Sequence, residues 1–256
     1  MIPRIKTPKQ IEKMQVAGRI TGEALLYAKE FIHEGVTTKE IDDKIRRYIE
    51  KCGAKPTFLG YGGFPGSACI SINDEVIHGI PSYKRVLRNG DIVKIDVGAA
   101  RNGFTGDSAA TFAVGEISEE AQRLIDVTRE SFYEAIKAIE NTPNPIIMDI
   151  GKAVSAHAEA NGFSVVRKYV GHGVGASLHE FPNVPNYPAI GDASSRIKII
   201  PGMTLAIEPM INQGTRVVKE MPDGWTVVTG DGKLSAHYEH SIAVTDNGII
   251  ILTKVD

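Results

Sequence analysis

Two acidic residues in this sequence stand where a strand should carry apolar side chains. Asp96 interrupts Val93-Lys94-Ile95-Asp96-Val97, and Glu208 interrupts the similar run Leu205-Ala206-Ile207-Glu208-Pro209. An unpaired carboxylate buried in a sheet costs several kcal/mol, so acids in such places need partners. Two more, Asp107 and Glu239, fall on the strands expected to follow. Arg101-Asn102-Gly103 is a hairpin signal between Asp96 and Asp107. A hairpin there pairs residues whose numbers sum to about 203–205, setting Asp96 and Asp107 face to face. Glu208 and Glu239 are expected to face each other in the same way, across a longer connection that contains Trp225. Four converging acids repel one another and stay ionised together only beside cations. Two divalent ions would neutralise them, as in a two-metal hydrolase.

Three of the seven histidines stand in glycine-rich surroundings. Gly171-His172-Gly173-Val174-Gly175 and Leu178-His179-Glu180-Phe181-Pro182 place two imidazoles in what reads as one loop after a Ser164–Lys168 strand, and Ile77-His78-Gly79-Ile80-Pro81 supplies a third. Glycines beside an imidazole would let the backbone approach a metal or ligand closely. A neutral imidazole is a nitrogen ligand for a metal, or a donor to a carbonyl oxygen becoming an oxyanion. His33, His157, His237 and His240 lack such context. His240 follows Glu239 and should point to the opposite face of its strand. No nucleophile elbow, His-Glu-x-x-His, phosphate-cradling loop or Cys-x-x-Cys competes with this chemistry, and Gly60–Gly66 is glycine-rich without the spacing of a phosphate site.

The elements that must position these groups follow from local signals. Thr7-Pro8-Lys9-Gln10 opens a helix that runs toward Gly35, and Thr37-Thr38-Lys39-Glu40 opens a second that stops at Gly53. Ser118 caps a third, broken at Thr142-Pro143-Asn144-Pro145, and Asp149 starts a fourth that ends at Asn161-Gly162. Strand patterns follow each pair: Cys69–Ile72 and Asp91–Val97 early, then Met203–Glu208 and Tyr238–Val244 late. Gly90–Asp96 aligns with Gly202–Glu208 at an offset of 112 residues, while Thr7 precedes Ser118 by 111 and Gly53 precedes Gly162 by 109. One domain with an internal pseudo-repeat, roughly 1–115 and 116–256, accounts for this spacing, and it sets the four acids around one axis.

Composition narrows the class. The 256 residues are 42% hydrophobic and 23% charged, which excludes disordered, collagen-like and coiled-coil chains. A net charge of −2 gives no basic field for nucleic acid or acidic lipid. Cys52 and Cys69 make no disulfide framework and suit a reducing compartment. The N-terminus does not read as a signal peptide, and apolar runs fall short of the roughly 20 residues a span requires. The expectation is a cytoplasmic protein, a monomer by default.

At this point the sequence resembles the type I methionine aminopeptidases, from Lys6 to the last strand. Gly60–Asn73 with His78–Pro81 is similar to that family's substrate-side signature. Asp91–Gly98, Gly106-Asp107, Gly171–Gly175, Ile207–Pro209 and Tyr238–His240 are similar to its metal motifs. The resemblance implies a mixed α/β (α+β) pita-bread fold: pseudo-twofold halves forming a curved antiparallel sheet, with two helix pairs on the convex face. It implies two divalent ions (Co, Mn, Fe or Zn), one chelated by Asp96, one bound by His172 and Glu208, and both bridged by Asp107 and Glu239. A metal-bridging hydroxide would attack the first peptide carbonyl. Glu208 would move protons, His179 would bond the carbonyl oxygen, and His78 would contact the amide nitrogen of the second residue. Tyr61, Phe64, Cys69 and Trp225 match pocket positions for the methionine side chain, flanked by Phe58 and Leu178, where the family varies. The implied substrates are N-terminal methionine peptides and nascent chains with a small second residue. Action on nascent chains is compatible with ribosome docking, although no basic patch argues for it.

Other readings stay within the same fold. Xaa-Pro peptidases carry a large N-terminal domain, for which a first helix at Thr7 leaves no room. Metal-free binding relatives have lost ligands, whereas all five positions here are acid or imidazole. The zinc-binding or proline-rich extension and the second-half insertion of type II enzymes are also missing, and the Asn183–Ile200 loop is slightly long.

Overall fold

The computed structural model describes residues 2–255. Its first helix, α1 (Pro8–Lys29), begins with a reciprocal cap. The Gln10 backbone N–H donates to Thr7 Oγ1 at 3.3 Å, and the Thr7 N–H donates to Gln10 Oε1 at 2.9 Å. α1 stops at Lys29, short of Gly35, whose left-handed φ of +88° instead belongs to the turn into α2 (Thr38–Lys51). Thr37 and Glu40 repeat the capping box on α2, and Gly53 leaves it at φ +67°. α3 (Glu119–Asn141) is capped by Ser118. α4 (Ile147–Ala160) starts two residues before Asp149, whose carboxylate reaches back to the Ile146 N–H at 3.0 Å. Asp149 therefore sits inside the first turn instead of opening it.

Nine strands form one antiparallel sheet: β1 (Lys55–Pro56), β2 (Ala68–Ile72), β4 (Ile92–Arg101), β5 (Phe104–Ala113), β7 (Gly171–Gly173), β8 (Glu180–Val184), β9 (Thr204–Ile207), β14 (Glu239–Thr245) and β15 (Gly248–Ile251). Its order is β1-β4-β5-β14-β9-β7-β8, with β2 also on β4 and β15 on β14. Two small sheets accompany it. One joins β6 (Ser164–Val165), β10 (Met210–Asn212) and β13 (Ser235–His237); the other joins β3 (Glu75–Ile77), β11 (Val218–Glu220) and β12 (Val227–Thr229). The strand expected over Ser164–Lys168 shrinks to β6.

Alternation gives the large sheet two different faces. On the convex face, Val93, Ile95 and Val97 of β4 pack with Ile41, Ile45 and Ile49 of α2 and Ile20 and Leu25 of α1. Leu205, Ile207, Ile242 and Val244 pack with Phe132, Ile136 and Ile139 of α3 and Ile150 and Val154 of α4. Each such side chain contributes about 1.5–3 kcal/mol through burial. This is the curved antiparallel sheet with two helix pairs that the resemblance implied. The concave face is left to the even-numbered residues of β4, among them Asp96.

Candidate active site

Register corrects the expected pairing of the first two acids. Asn102 (φ +55°) and Gly103 (φ +80°) form a two-residue turn in which both residues are left-handed, and Arg101 pairs with Phe104. Asp107 therefore stands opposite Gly98, and Asp96 opposite Ala109. The two carboxylates share a face diagonally instead of facing each other. In the second half Ile207 pairs with His240, so Glu208 and Glu239, the next residues outward, are in register.

Together these ladders write two neighbouring rows across the concave face. The first runs Cys69, Asp96, Ala109 and Glu239 over β2, β4, β5 and β14, and Glu208 continues it. The second holds Gly98 and Asp107, then Ser241, whose Oγ accepts the Asp107 N–H at 2.9 Å, then Ala206 opposite Ser241 and His172 opposite Ala206. His172 thus lies on strand β7, not in the loop expected for it, while His179 precedes β8. Small side chains fill the positions between the acids, which leaves room above them.

The flanking glycines of His172 have a different purpose from the one expected. A Cβ on Gly171 would lie 2.4 Å from the Ala206 carbonyl oxygen, and one on Gly173 would lie 2.7 Å from that of Phe181. They let β7 fit between β8 and β9. Beyond β3, His78 itself takes a left-handed φ of +59°, and Gly79 passes so close to Ile70 that a Cβ would meet its oxygen at 2.3 Å.

The His172 ring is oriented by its own neighbourhood. Nδ1 lies 2.8 Å from the Gly173 carbonyl oxygen, which can only accept, so Nδ1 carries the proton. Burial, then the neighbouring His179, lowers the His172 pKa to about 3, so the ring is neutral and Nε2 presents a lone pair. That lone pair lies 3.6 Å from Asp107 Oδ2 and 3.6 Å from Glu208 Oε1. Three acceptors converging on one point call for a cation or for protons on the acids.

Burial pushes Asp107 up to about 7 and holds Asp96, Glu208 and Glu239 well above the usual carboxylate range, with mutual repulsion adding to the last three. Asp96 Oδ1, Asp107 Oδ1 and Glu239 Oε1 are buried without a hydrogen-bond partner. Ligand atoms of Asp107, His172 and Glu239 all lie within 4.8 Å of one another. Four carboxylates and one neutral imidazole make a donor set that fits divalent ions.

One cavity of about 150 Å³ brings together every residue singled out from the sequence. The five acid and imidazole groups form its floor. Phe58, Phe64, Cys69 and Leu178 form a buried apolar wall, with Trp225 packed against it and edge-on to Phe64 at 5.1 Å. Tyr61 stands at the mouth, and the His78 ring lies edge-on to Tyr169 at 5.8 Å. Larger surface depressions exist, including one between α1 and the β14–β15 hairpin, but none gathers such groups.

Sequence reasoning passed over two residues on this face. His237 is fully buried, its Nε2 is 3.8 Å from Glu208 Oε2, and burial lowers its pKa to about 3. Its parity with Glu239 was the available signal. Lys94, two residues before Asp96, is also fully buried and donates to the Asn73 carbonyl at 2.7 Å. His240 points the other way, to Thr253 Oγ1 at 2.7 Å and Phe132, as strand alternation requires.

Residues 12–246 match the family model described as metallopeptidase family M24. The chain belongs to this family. Over 250 residues it is 49% identical to methionine aminopeptidase 1 of Bacillus subtilis, covering 98% of both chains. It is 46% identical to the methionine aminopeptidase of Escherichia coli, covering 97% of this chain and 93% of that one. The crystal structure of methionine aminopeptidase from Thermotoga maritima superposes with a TM-score of 0.94 at 44% identity, covering 99% of this chain and 100% of that one. As an M24 metallopeptidase the chain is a metal-dependent hydrolase, and its buried donor cluster suits divalent metal. No helix among the described residues is long and apolar enough to cross a membrane.

Proposed function

We propose that this M24 metallopeptidase removes the N-terminal methionine from peptides and nascent proteins, preferring a small second residue. The observation that carries the reading is the lone pair of His172 aimed at Asp107 and Glu208 beside a small apolar pocket. Asp96, Asp107, His172, Glu208 and Glu239 would hold two divalent ions, of Co, Mn, Fe or Zn. Bound there, such ions supply Lewis acidity toward the carbonyl and an activated water at neutral pH.

The chain's own groups do the rest. Phe58, Phe64, Cys69, Leu178 and Trp225 enclose the methionine side chain, for which an apolar, polarizable pocket is suited. His179 donates from Nε2 to the carbonyl oxygen as negative charge develops on it. Glu208 carries a proton from the attacking water to the leaving amine, its carboxylate standing on the cavity floor beside His172. His78 contacts the amide nitrogen of the second residue. The relation between residues 1–115 and 116–256 is read as an internal repeat within one catalytic domain, which supports treating the five ligands as one unit. We read the protein as a cytoplasmic monomer, in keeping with its free Cys52 and Cys69.

Release of methionine from a Met-Ala-Ser peptide tests the proposal. Metal-stripped protein should be inactive, recover with Mn, Fe or Co, and stay inactive as Glu208→Gln. Folded wild-type protein that releases nothing with any of these ions would overturn it.

A further inference from the structure

Tyr61 does more than wall a pocket. Its hydroxyl lies 2.7 Å from Nδ1 of His179, and the two rings stand 5.2 Å apart. On its other side the His179 ring packs edge-on against His172, at 4.2 Å between centroids. The imidazole is therefore held at one nitrogen and packed against a second ring. The tyrosine is in turn held by its loop. Gly60, Gly62 and Gly63 all have left-handed φ values, and Gly62 passes close enough to the indole that a Cβ would lie 3.2 Å from Trp225.

A neutral imidazole offers one donor and one acceptor nitrogen, and the partner of one nitrogen decides the state of the other. A phenol O–H is a stronger donor than an imidazole N–H, and the phenol oxygen, whose lone pair is delocalised into its ring, is a weaker acceptor than an imidazole nitrogen. With the Tyr61 O–H donating to Nδ1, the ring proton sits on Nε2. In the proposed function Nε2 is the atom that meets the substrate carbonyl, where it stabilises developing charge only as a donor.

We infer that Tyr61 is a positioning residue for His179: its hydroxyl holds the ring in the Nε2–H tautomer that the substrate carbonyl requires. This rests on the reading that His179 donates to that carbonyl. Tyr61→Phe removes the hydroxyl and keeps the ring, so the apolar wall survives.

The test is nitrogen NMR on 15N-histidine protein loaded with zinc, without substrate, alongside steady-state kinetics. Wild-type His179 should show an unprotonated Nδ1 and a protonated Nε2. The Tyr61→Phe spectrum should show both tautomers, with kcat down on the order of tenfold and KM within about twofold, the pattern of a lost orienting partner. A wild-type proton on Nδ1, or a Tyr61→Phe protein with unchanged tautomer and kcat, overturns the inference. Absence of methionine release from the wild type would instead strike the proposed function, because the spectrum is read without turnover.

Discussion

His172 Nε2 stands 3.6 Å from Asp107 Oδ2, on strands separated by two others. The separation is too long for a hydrogen bond. It suits two ligands of one ion, since bonds of about 2.0–2.2 Å each allow donors to lie up to about 4 Å apart. The imidazole proton is committed to Gly173, so this pair has nothing of its own to share.

Metal should therefore stabilise the fold. Chelator-treated protein is expected to melt at a lower temperature than protein given back Mn, Co or Zn. At about 100 times the dissociation constant the gain is about 2.7 kcal/mol. Differential scanning fluorimetry across a metal titration measures this, and a melting temperature blind to all three ions would contradict it.

Metal binding should tighten as pH rises. In the metal-free fold, burial raises Asp107 to about 7 and the other three acids well above their usual range, so protons occupy the cluster at neutral pH. The stability from a raised carboxylate is full below its unfolded value near 3.9 and is lost as pH climbs through its folded value. Ions displace these protons, so calorimetry near pH 7 in two buffers of different ionisation enthalpy should show proton release. The metal-induced rise in melting temperature should grow from pH 6 to pH 8.

His179→Ala should fold and bind metal but turn over slowly. Loss of one donor to a developing oxyanion costs on the order of 10²–10³ in kcat. Steady-state kinetics on a Met-Ala-Ser peptide decides this, and a kcat within a few-fold of wild type would remove His179 from the chemistry.

Ala109 lies between Asp96 and Glu239 in the first row, with almost no exposure. Ala109→Leu should crowd the floor, costing about 1–3 kcal/mol of stability, the usual penalty for overpacking. It should also weaken metal binding by about tenfold or more, through displaced carboxylates. Circular dichroism with isothermal titration separates the two effects; undiminished affinity would show that the floor has spare room.

Helix starts were legible in the sequence because caps are local: Thr7 with Gln10 and Thr37 with Glu40 are settled within four residues. The acids were legible because a charge inside an apolar run is itself a local anomaly. Register was not, since pairing Arg101 with Phe104 depends on both turn residues adopting left-handed geometry. The burial of His237 and Lys94 was not legible because it is decided by what packs over a residue; parity with Glu239 and Asp96 marks only the face they share. The short strand β7 was misread as loop because its glycines answer to the backbones of β8 and β9, which are distant in sequence.

The two rows on the concave face are set by backbone pairing, whereas much of the pocket wall comes from connecting segments around residues 58–64, 178–179 and 225. The acid floor and most of the wall thus have separate inheritance, with Cys69 on β2 and His179 just before β8 as the points they share. A substitution or small insertion in the wall can change which first residue is accepted while the ladders keep the acids in place. Such a chain can drift in specificity without passing through an inactive ancestor.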